Sequence, residues 1–242
     1  MFSFRKNLPA VFLVLLFLSC RTIPQWDELP IPPVSSADPA IVPVDRSPQW
    51  WVDRHNNRIA NVAENQKIIF IGDSITQGWE WTNAWKELNQ QFNNKITNLG
   101  FTGDQTQHVI WRLENGEFPA GINPEYVVLM IGTNNKNGSV SIAAGIGRIA
   151  EMINAGSPSA KIIILSILPS GSGRDDENTV KNNAVNEIIK TYDGHLNIKY
   201  LNIGRHYVNE DGTLKTELFT DKLHLTPAGY ALWKEKLLEI IK

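Results

Sequence analysis

The chain has 242 residues, of which 42% are hydrophobic and 20% are charged, and its formal net charge is −2. This balance is typical of a folded globular protein and excludes global disorder. The length fits one α/β domain with additional terminal segments. Because no Lys/Arg block occurs beyond the extreme N-terminus, we expect no nucleic-acid partner.

The N-terminus reads "MFSFRKNLPAVFLVLLFLSC", in which Arg5 and Lys6 precede an apolar stretch over residues 8–18. That stretch is too short to span a bilayer and matches the apolar part of an export signal. Cys20 is the only cysteine, so no intramolecular disulfide can form. It occupies the position where a bacterial lipoprotein signal is cut and lipidated. We therefore predict a lipoprotein-type signal peptide over residues 1–20, with export to the bacterial envelope or cell surface and a lipid anchor at Cys20. The alternative is a plain cleaved signal in which Cys20 has no role.

Residues 21–47 are rich in proline and lack the periodicity of a helix or a strand. This composition predicts an extended, polyproline-like tether between anchor and domain. The folded domain is then expected over residues 48–242. It begins with a helix over residues 48–65, for which Ser47 provides the N-cap and Pro48 the first turn.

Five short apolar, β-branched runs follow, and they alternate with stretches that have helical spacing. The alternation predicts βαβ units, and hence a three-layer α/β/α sandwich around a five-stranded parallel sheet. A closed eight-stranded barrel needs more units than this length supplies. The last helix is predicted to start at Thr226 and Pro227. The predicted strands cover residues 67–71, 95–99, 126–131, 161–168 and 198–203.

The segment after the first predicted strand is rich in tryptophan. Trp81, Trp85, Leu88 and Phe92 have helical spacing and predict one apolar helix face. Trp79 and Trp81 also lie close after a serine at the end of the first strand. A rim that stacks on sugar rings is therefore the alternative to a place in the core.

Residues that suit nucleophilic catalysis occur in four blocks after successive strands. Ser74 lies in "GDSIT", Gly103 in "FTGD", Asn134 in "GTNN", and Asp221 and His224 in "DKLH". The carboxyl ends of parallel strands meet at one sheet edge, where open α/β folds bind ligands. A serine attacks when a histidine takes its proton and a carboxylate orients that histidine, while N–H groups stabilise the oxyanion. Each residue alone also has a structural explanation in a turn, a cap or a surface pair.

Together the four blocks resemble the GDSL, or SGNH, hydrolase superfamily, which is named for its Ser, Gly, Asn and His. The similarity is closest to the catalytic subunits of intracellular platelet-activating-factor acetylhydrolase and to their bacterial relatives. The stretch "NLGFTGDQTQHVIWRLENGEF" extends it well beyond the four blocks. The resemblance covers roughly residues 48–242 and implies a flavodoxin-like fold.

The resemblance also implies a role for each residue of the four blocks. Ser74 would be the nucleophile, His224 the general base and Asp221 the carboxylate that orients it. The oxyanion hole would consist of the backbone N–H groups of Ser74 and Gly103 and the side chain of Asn134.

In the acetylhydrolase relatives, side chains beside these positions restrict the acyl pocket, and the matching residues here are Ile75, Thr133 and Leu223. All three have substantial side chains, so we expect an esterase for acetyl or similarly short acyl groups. O-acetylated carbohydrate is the predicted substrate. The alternatives are a phospholipid or lysophospholipid acylhydrolase and a non-catalytic glycan-binding lipoprotein, and acyl transfer to a sugar stays open. No cofactor or metal is expected, and the resemblance leaves a homodimer open.

Other polar residues near the four blocks have structural explanations. Asp73 and Asp104 lie at loop-to-helix junctions, and we expect them to cap helices. His108 and Arg112 are spaced four apart on a helix, which favours polar packing over substrate contact. His55 has no acidic partner at a useful spacing and is expected to be solvated or structural.

Overall fold

The structure is a computed structural model that describes residues 28–61, 65–119 and 121–241. The predicted signal peptide and Cys20 lie outside these residues. Among the helices of the described ranges, none has the length and apolar character needed to cross a membrane.

Five parallel strands form one sheet in the order β2-β1-β3-β4-β5. This is the flavodoxin-like order, in which the chain first builds outward from β1 to β2 and then continues on the other side of β1 with β3. The predicted five-stranded parallel sheet is confirmed. The strands are β1 (Ile68–Gly72), β2 (Ile96–Gly100), β3 (Tyr126–Met130), β4 (Lys161–Leu165) and β5 (Ile198–Leu201).

Seven α-helices occur in the described ranges. The last one begins as its sequence predicts, since the Thr226 hydroxyl accepts a hydrogen bond from the Gly229 N–H and Pro227 is the first helical residue. The helices are α1 (Gln49–Asn61), α2 (Ser74–Gly78), α3 (Asn83–Gln91), α4 (Thr106–Arg112), α5 (Ser139–Gly156), α6 (Glu177–Ile189) and α7 (Pro227–Leu238).

The sheet has an apolar core on each face because alternate side chains of a strand point to opposite sides. On β1, Ile69 and Ile71 pack with residues of α4, α5 and α6. Ile68 and Phe70 pack on the other face with residues of α2, α3 and α7. The three-layer α/β/α architecture predicted from the sequence is therefore confirmed.

The tryptophans after β1 divide between core and surface. Trp79 is fully buried, whereas Trp81 is 71% exposed. The Thr82 side chain caps α3 by accepting from the Trp85 N–H at 3.2 Å, so Trp81 precedes the helix in a short 3₁₀ turn. The expectation that Trp81 shares an apolar helix face with Leu88 is wrong, because the cap places it before the helical repeat starts.

Residues 28–47, here called the N-terminal strap, contain neither helix nor strand. They pack on the domain, where Ala40 is fully buried and its carbonyl oxygen accepts from the Thr106 hydroxyl at 2.8 Å. The Ser141 hydroxyl donates to the Asp38 carboxylate at 2.6 Å. The described part of the segment predicted as a tether thus lies along α4 and α5.

Candidate active site

Ser74 lies where β1 turns into α2. The strand ends at Gly72, where a Cβ atom would collide with the Met130 carbonyl oxygen of the neighbouring β3. Asp73 caps α2, as predicted, by accepting from the Ile75 N–H at 2.9 Å. Ser74 is therefore the first residue of a helix at the carboxyl end of a central strand, at the edge where ligands bind in this fold.

A hydrogen-bonded chain joins Ser74, His224 and Asp221. The distance from Ser74 Oγ to His224 Nε2 is 2.9 Å, and from His224 Nδ1 to Asp221 Oδ2 it is 2.7 Å. The other carboxylate oxygen of Asp221 accepts from the backbone N–H groups of Leu223 and His224 at 3.1 and 2.7 Å. The tight loop before α7 thus places carboxylate and imidazole together, and the sheet edge brings both to Ser74.

The pKa of Asp221 lies below its ordinary value. Burial acts in the opposite direction, but the hydrogen bonds from the His224 side chain and from the two backbone N–H groups outweigh it. Asp221 is therefore ionised at neutral pH. An ionised partner favours the proton on Nδ1 of His224, which leaves Nε2 free to accept from the Ser74 hydroxyl.

Asp73, directly before Ser74, has the opposite shift. Burial raises its pKa to about 7, and the nearby Asp104 carboxylate adds to the effect, while the hydrogen bond from the Ile75 N–H opposes it. The side chain is only 1% exposed. A buried carboxyl that titrates near neutral pH therefore directly precedes the candidate nucleophile.

The loops after β2 and β3 meet beside Ser74 in the sheet order. Gly103 has a φ of +78°, a left-handed conformation that favours glycine. The Asn134 side-chain amide donates to the Asp104 carbonyl oxygen at 3.0 Å, and the Gln105 side chain donates to the Asn134 carbonyl oxygen at 3.0 Å. These bonds lock the two predicted oxyanion loops together.

Side chains of α6 donate hydrogen bonds to the loop after β3. Lys181 Nζ donates to the carbonyl oxygens of Thr133 and Asn135 at 2.9 and 2.8 Å. The Asn182 amide donates to the Thr133 hydroxyl at 3.3 Å. Burial lowers the pKa of Lys181 below its ordinary value. The sequence analysis missed both α6 residues, because nothing in their local pattern indicates contact with a loop some 46 to 49 residues away.

Two backbone N–H groups at this edge have no acceptor within the described part of the chain. They belong to Ser74, at the start of α2, and to Gly103. One hydrogen of the Asn134 amide is used on Asp104, so the second is available. Three N–H hydrogens at this sheet edge thus have no acceptor among the described residues.

A cavity of about 300 Å³ opens beside the Ser74–His224 pair. Of the predicted acyl-pocket residues, Ile75 is buried in the core, while Thr133 and Leu223 are half-buried. None of the three lines this cavity. Its wall consists of Gly78, Trp81, Thr102, Leu225 and Tyr230.

A larger cavity of about 610 Å³ lies between α6 and the residues that follow β4 and β5. Neither Ser74 nor His224 lines it, so it is not the place of the serine chemistry. In the described ranges, no cluster of three or more His, Cys, Asp or Glu residues could hold a metal ion.

A buried ionic network lies next to the Gly103 loop, and sequence reasoning missed it. Arg112 is fully buried, donates to Asp104 at 2.8 Å and pairs with Glu117. His55 Nδ1 lies 2.7 Å from the Glu117 carboxylate. Of the two alternatives for His55, the structural one is confirmed, and its acidic partner lies 62 residues away, too far for sequence spacing to indicate it.

The predicted cap at Asp104 is also wrong. Gln105 and His108 form the capping box of α4, which leaves the Asp104 carboxylate free for Arg112. Polar packing of Arg112 was expected, and its two partners bear this out. The signal that could have indicated the network is the presence of Asp104, Arg112 and Glu117 within the short stretch "GDQTQHVIWRLENGE", which also contains the apolar residues Val109 and Ile110.

Comparison with known proteins identifies relatives over most of the chain. A model of the GDSL-like lipase/acylhydrolase family matches residues 70–232. Human platelet-activating factor acetylhydrolase IB subunit alpha2 is 36% identical over 194 residues, which is 79% of this chain and 83% of the relative.

Two solved structures have the same fold. A GDSL-like lipase from Bacteroides thetaiotaomicron superposes with a TM-score of 0.65 at 22% identity, covering 77% of this chain and 95% of that one. An acetylxylan esterase from Geobacillus stearothermophilus superposes with a TM-score of 0.55 at 15% identity, covering 72% of this chain and 93% of that one. With a family match over two thirds of its length and a close relative over most of it, the chain belongs to the GDSL-like lipase/acylhydrolase family and is a carboxylic ester hydrolase.

Proposed function

We propose that this esterase hydrolyses short-chain esters, acetyl esters above all, through a covalent acyl-enzyme at Ser74. The observation that carries the proposal is the hydrogen-bonded chain from Ser74 Oγ through His224 to Asp221. A serine hydroxyl becomes a competent nucleophile when a base of this kind accepts its proton.

In the first half-reaction, Ser74 Oγ attacks the ester carbonyl carbon while its proton moves to His224 Nε2. The resulting imidazolium is stabilised by the ionised Asp221 at 2.7 Å. The tetrahedral intermediate collapses, and the leaving alcohol takes the proton from His224. Water then attacks the acyl-enzyme with the same proton transfers and releases the carboxylic acid.

The negative charge of the tetrahedral oxygen would be bound by the N–H groups of Ser74 and Gly103 and by the Asn134 amide. The N–H groups have no other acceptor in the described part of the chain, and the Asn134 amide is already oriented by Asp104. Loss of one such donor typically costs about 3 kcal/mol of transition-state stabilisation.

Preference for short acyl groups is supported by the way in which two of the predicted acyl-pocket residues are held. Ile75 is 1% exposed and packed in the core, and the Thr133 hydroxyl is engaged by Asn182. Side chains held in this way leave little freedom to open a channel for a long chain. The open 300 Å³ cavity on the side of Trp81 is then the place for the leaving alcohol.

A carbohydrate leaving group is supported by Trp81. Its side chain is 71% exposed at the cavity that also contains Ser74 and His224. The preceding Glu80 pairs with Arg54 and Arg58 of α1, which fixes the backbone that carries it. An exposed aromatic face on a rigid turn is suited to stacking on a sugar ring. Export and anchoring at Cys20, which stay predictions, would bring the enzyme to extracellular glycans.

Initial rates on 4-nitrophenyl acetate, butyrate and octanoate test the acyl preference, with Ser74→Ala as the control. We expect the rate to fall steeply with chain length and to be abolished in the variant. A flat or rising profile would contradict the short-acyl assignment, and turnover retained by Ser74→Ala would contradict the mechanism.

The leaving group is tested by comparing acetylated xylo-oligosaccharides with a platelet-activating-factor analogue. The 36% identity to an acetylhydrolase subunit favours the phospholipid as the second candidate. We expect Trp81→Ala to raise KM for the acetylated sugar and to leave turnover of 4-nitrophenyl acetate nearly unchanged. Efficient cleavage of the phospholipid analogue alone would replace the carbohydrate assignment.

A further inference from the structure

Arg46, in the N-terminal strap, lies directly on the Gly103 loop. Its Nη1 donates to the Thr102 carbonyl oxygen at 2.7 Å and to the Asp104 carboxylate at 3.1 Å. The guanidinium also lies over the Trp50 ring, 5.7 Å from the ring centroid. Its side chain is 23% exposed, so the group is held between strap, helix α1 and loop.

The carbonyl that Arg46 binds belongs to the peptide that contains the Gly103 N–H. In a planar trans peptide, the C=O of one residue and the N–H of the next point in opposite directions. A hydrogen bond that fixes the Thr102 carbonyl therefore also fixes the direction of the Gly103 N–H. The N–H on the other side of Thr102 is held by the Gln77 side chain at 2.7 Å.

Glycine at position 103 allows the guanidinium to approach this peptide closely. A Cβ atom there would lie 3.3 Å from both terminal nitrogens of Arg46. The φ of +78° turns the backbone at the same residue. The loop conformation and the place of Arg46 therefore depend on each other.

We propose that Arg46 is a positioning residue of the oxyanion hole. It holds the Thr102–Gly103 peptide so that the Gly103 N–H stays directed at the reacting carbonyl, and its positive charge polarises that peptide and strengthens the N–H as a donor. The inference rests on the proposed function, because it concerns a donor of that mechanism.

The strap and α1 are anchored along the same loop, so the contact of Arg46 is not isolated. The Val44 N–H donates to the Gln107 carbonyl oxygen at 3.3 Å. From α1, Trp51 Nε1 donates to the Asp104 carboxylate and Arg54 Nε to the Gly100 carbonyl oxygen, both at 2.8 Å. A protein that starts at residue 47 or 48, the boundary expected from the sequence, would lack Arg46.

The test uses the full-length chain with Arg46→Ala, Arg46→Lys and, as matched control, Arg148→Ala. Arg148 is an exposed arginine of α5 whose partner is Glu151 on the same helix. The readouts are kcat and KM for 4-nitrophenyl acetate and the inhibition constant of a trifluoromethyl ketone. Serine adds to such a ketone and forms a tetrahedral oxyanion that needs the same donors.

For Arg46→Ala we expect kcat to fall about 10- to 100-fold, which is less than the loss of an oxyanion donor produces, because the Gly103 N–H is displaced and not removed. KM should change little, and the inhibition constant of the ketone should rise by a factor similar to the loss in kcat. Arg46→Lys should recover part of the kcat and part of the affinity for the ketone. The lysine ammonium can reach the Thr102 carbonyl oxygen but lacks the several N–H donors of the planar guanidinium. Arg148→Ala should behave as the wild type.

The fold is expected to survive, since Asp104 keeps its bonds from Trp51 and Arg112 at 2.8 Å each, and circular dichroism checks this. If Arg46→Ala is unfolded, the test is the comparison of kcat and of the ketone inhibition constant between Arg46→Lys and the wild type. A folded variant with unchanged kcat overturns the inference, and so does a lower kcat with unchanged affinity for the ketone. A wild type without turnover that depends on Ser74 would instead refute the proposed function, and the inference with it.

Discussion

Replacement of Arg112 by methionine should strongly destabilise the protein. Arg112 has no exposed surface and holds two buried carboxylates, Asp104 and Glu117, with its guanidinium 4.0 Å from the Phe101 ring centroid. Methionine fills similar space without the charge. The two carboxylates would then remain buried without the cation that pairs with both of them.

The size of this destabilisation depends on the partners that the two carboxylates keep. Asp104 keeps Trp51 and Arg46, and Glu117 keeps His55, so neither carboxylate becomes wholly unpaired. Breaking a buried ion pair on one side typically costs about 3–5 kcal/mol, and we expect a value in this range. For a domain of this size, about 2–4 °C per kcal/mol converts this to a fall in Tm of roughly 6–20 °C.

Urea unfolding followed by tryptophan fluorescence measures the effect, with the exposed Arg148→Met as control, for which we expect less than about 1 kcal/mol. Adding Glu117→Gln to Arg112→Met should recover part of the loss, because it removes one uncompensated charge. A cost below about 1 kcal/mol for Arg112→Met, or no recovery in the double variant, would refute the reasoning that charge compensation stabilises this part of the core.

Two further predictions concern the carboxylates near Ser74. Asp221→Asn should lower kcat at least about 100-fold, because the amide no longer favours the tautomer of His224 that accepts from Ser74, and a steady-state loss below tenfold at pH 7 would contradict this role. Asp73 has a pKa raised to about 7 by burial, so the folded state holds a proton that the unfolded state releases near pH 4. The unfolding free energy of the wild type should therefore fall relative to that of Asp73→Asn as pH rises from about 4 to 7, by up to about 1.4 kcal/mol per pH unit. Urea unfolding of both proteins at several pH values checks this prediction. Unfolding free energies that change in parallel with pH in the wild type and in Asp73→Asn would contradict it.

The local signals in the sequence were sufficient for the architecture. Each apolar run became a strand, since buried parallel strands need apolar residues on both faces. The pair of Asp221 and His224 could be expected from spacing, because three residues in a tight loop place the side chains within reach. The place of Ser74 followed from the rule that parallel strands end at one edge of the sheet.

Boundaries and caps were less predictable. Whether Trp81 belongs to the helix or to the turn before it depends on where the Thr82 hydroxyl caps α3, and helical spacing is the same in both cases. The proline content of the N-terminal strap correctly excluded regular structure. It carried no information on packing, because apolar and polar contacts such as those of Ala40 are made with residues far along the chain.

The sequence by itself therefore determined the sheet, its covering helices and the chemistry available at the strand ends. Only the tertiary structure decided which charges meet. Arg46 lies 56 residues from Thr102 and His55 lies 62 residues from Glu117. Periodicity reports which face of an element is buried, whereas ion pairs between distant segments depend on how loops close over the sheet edge.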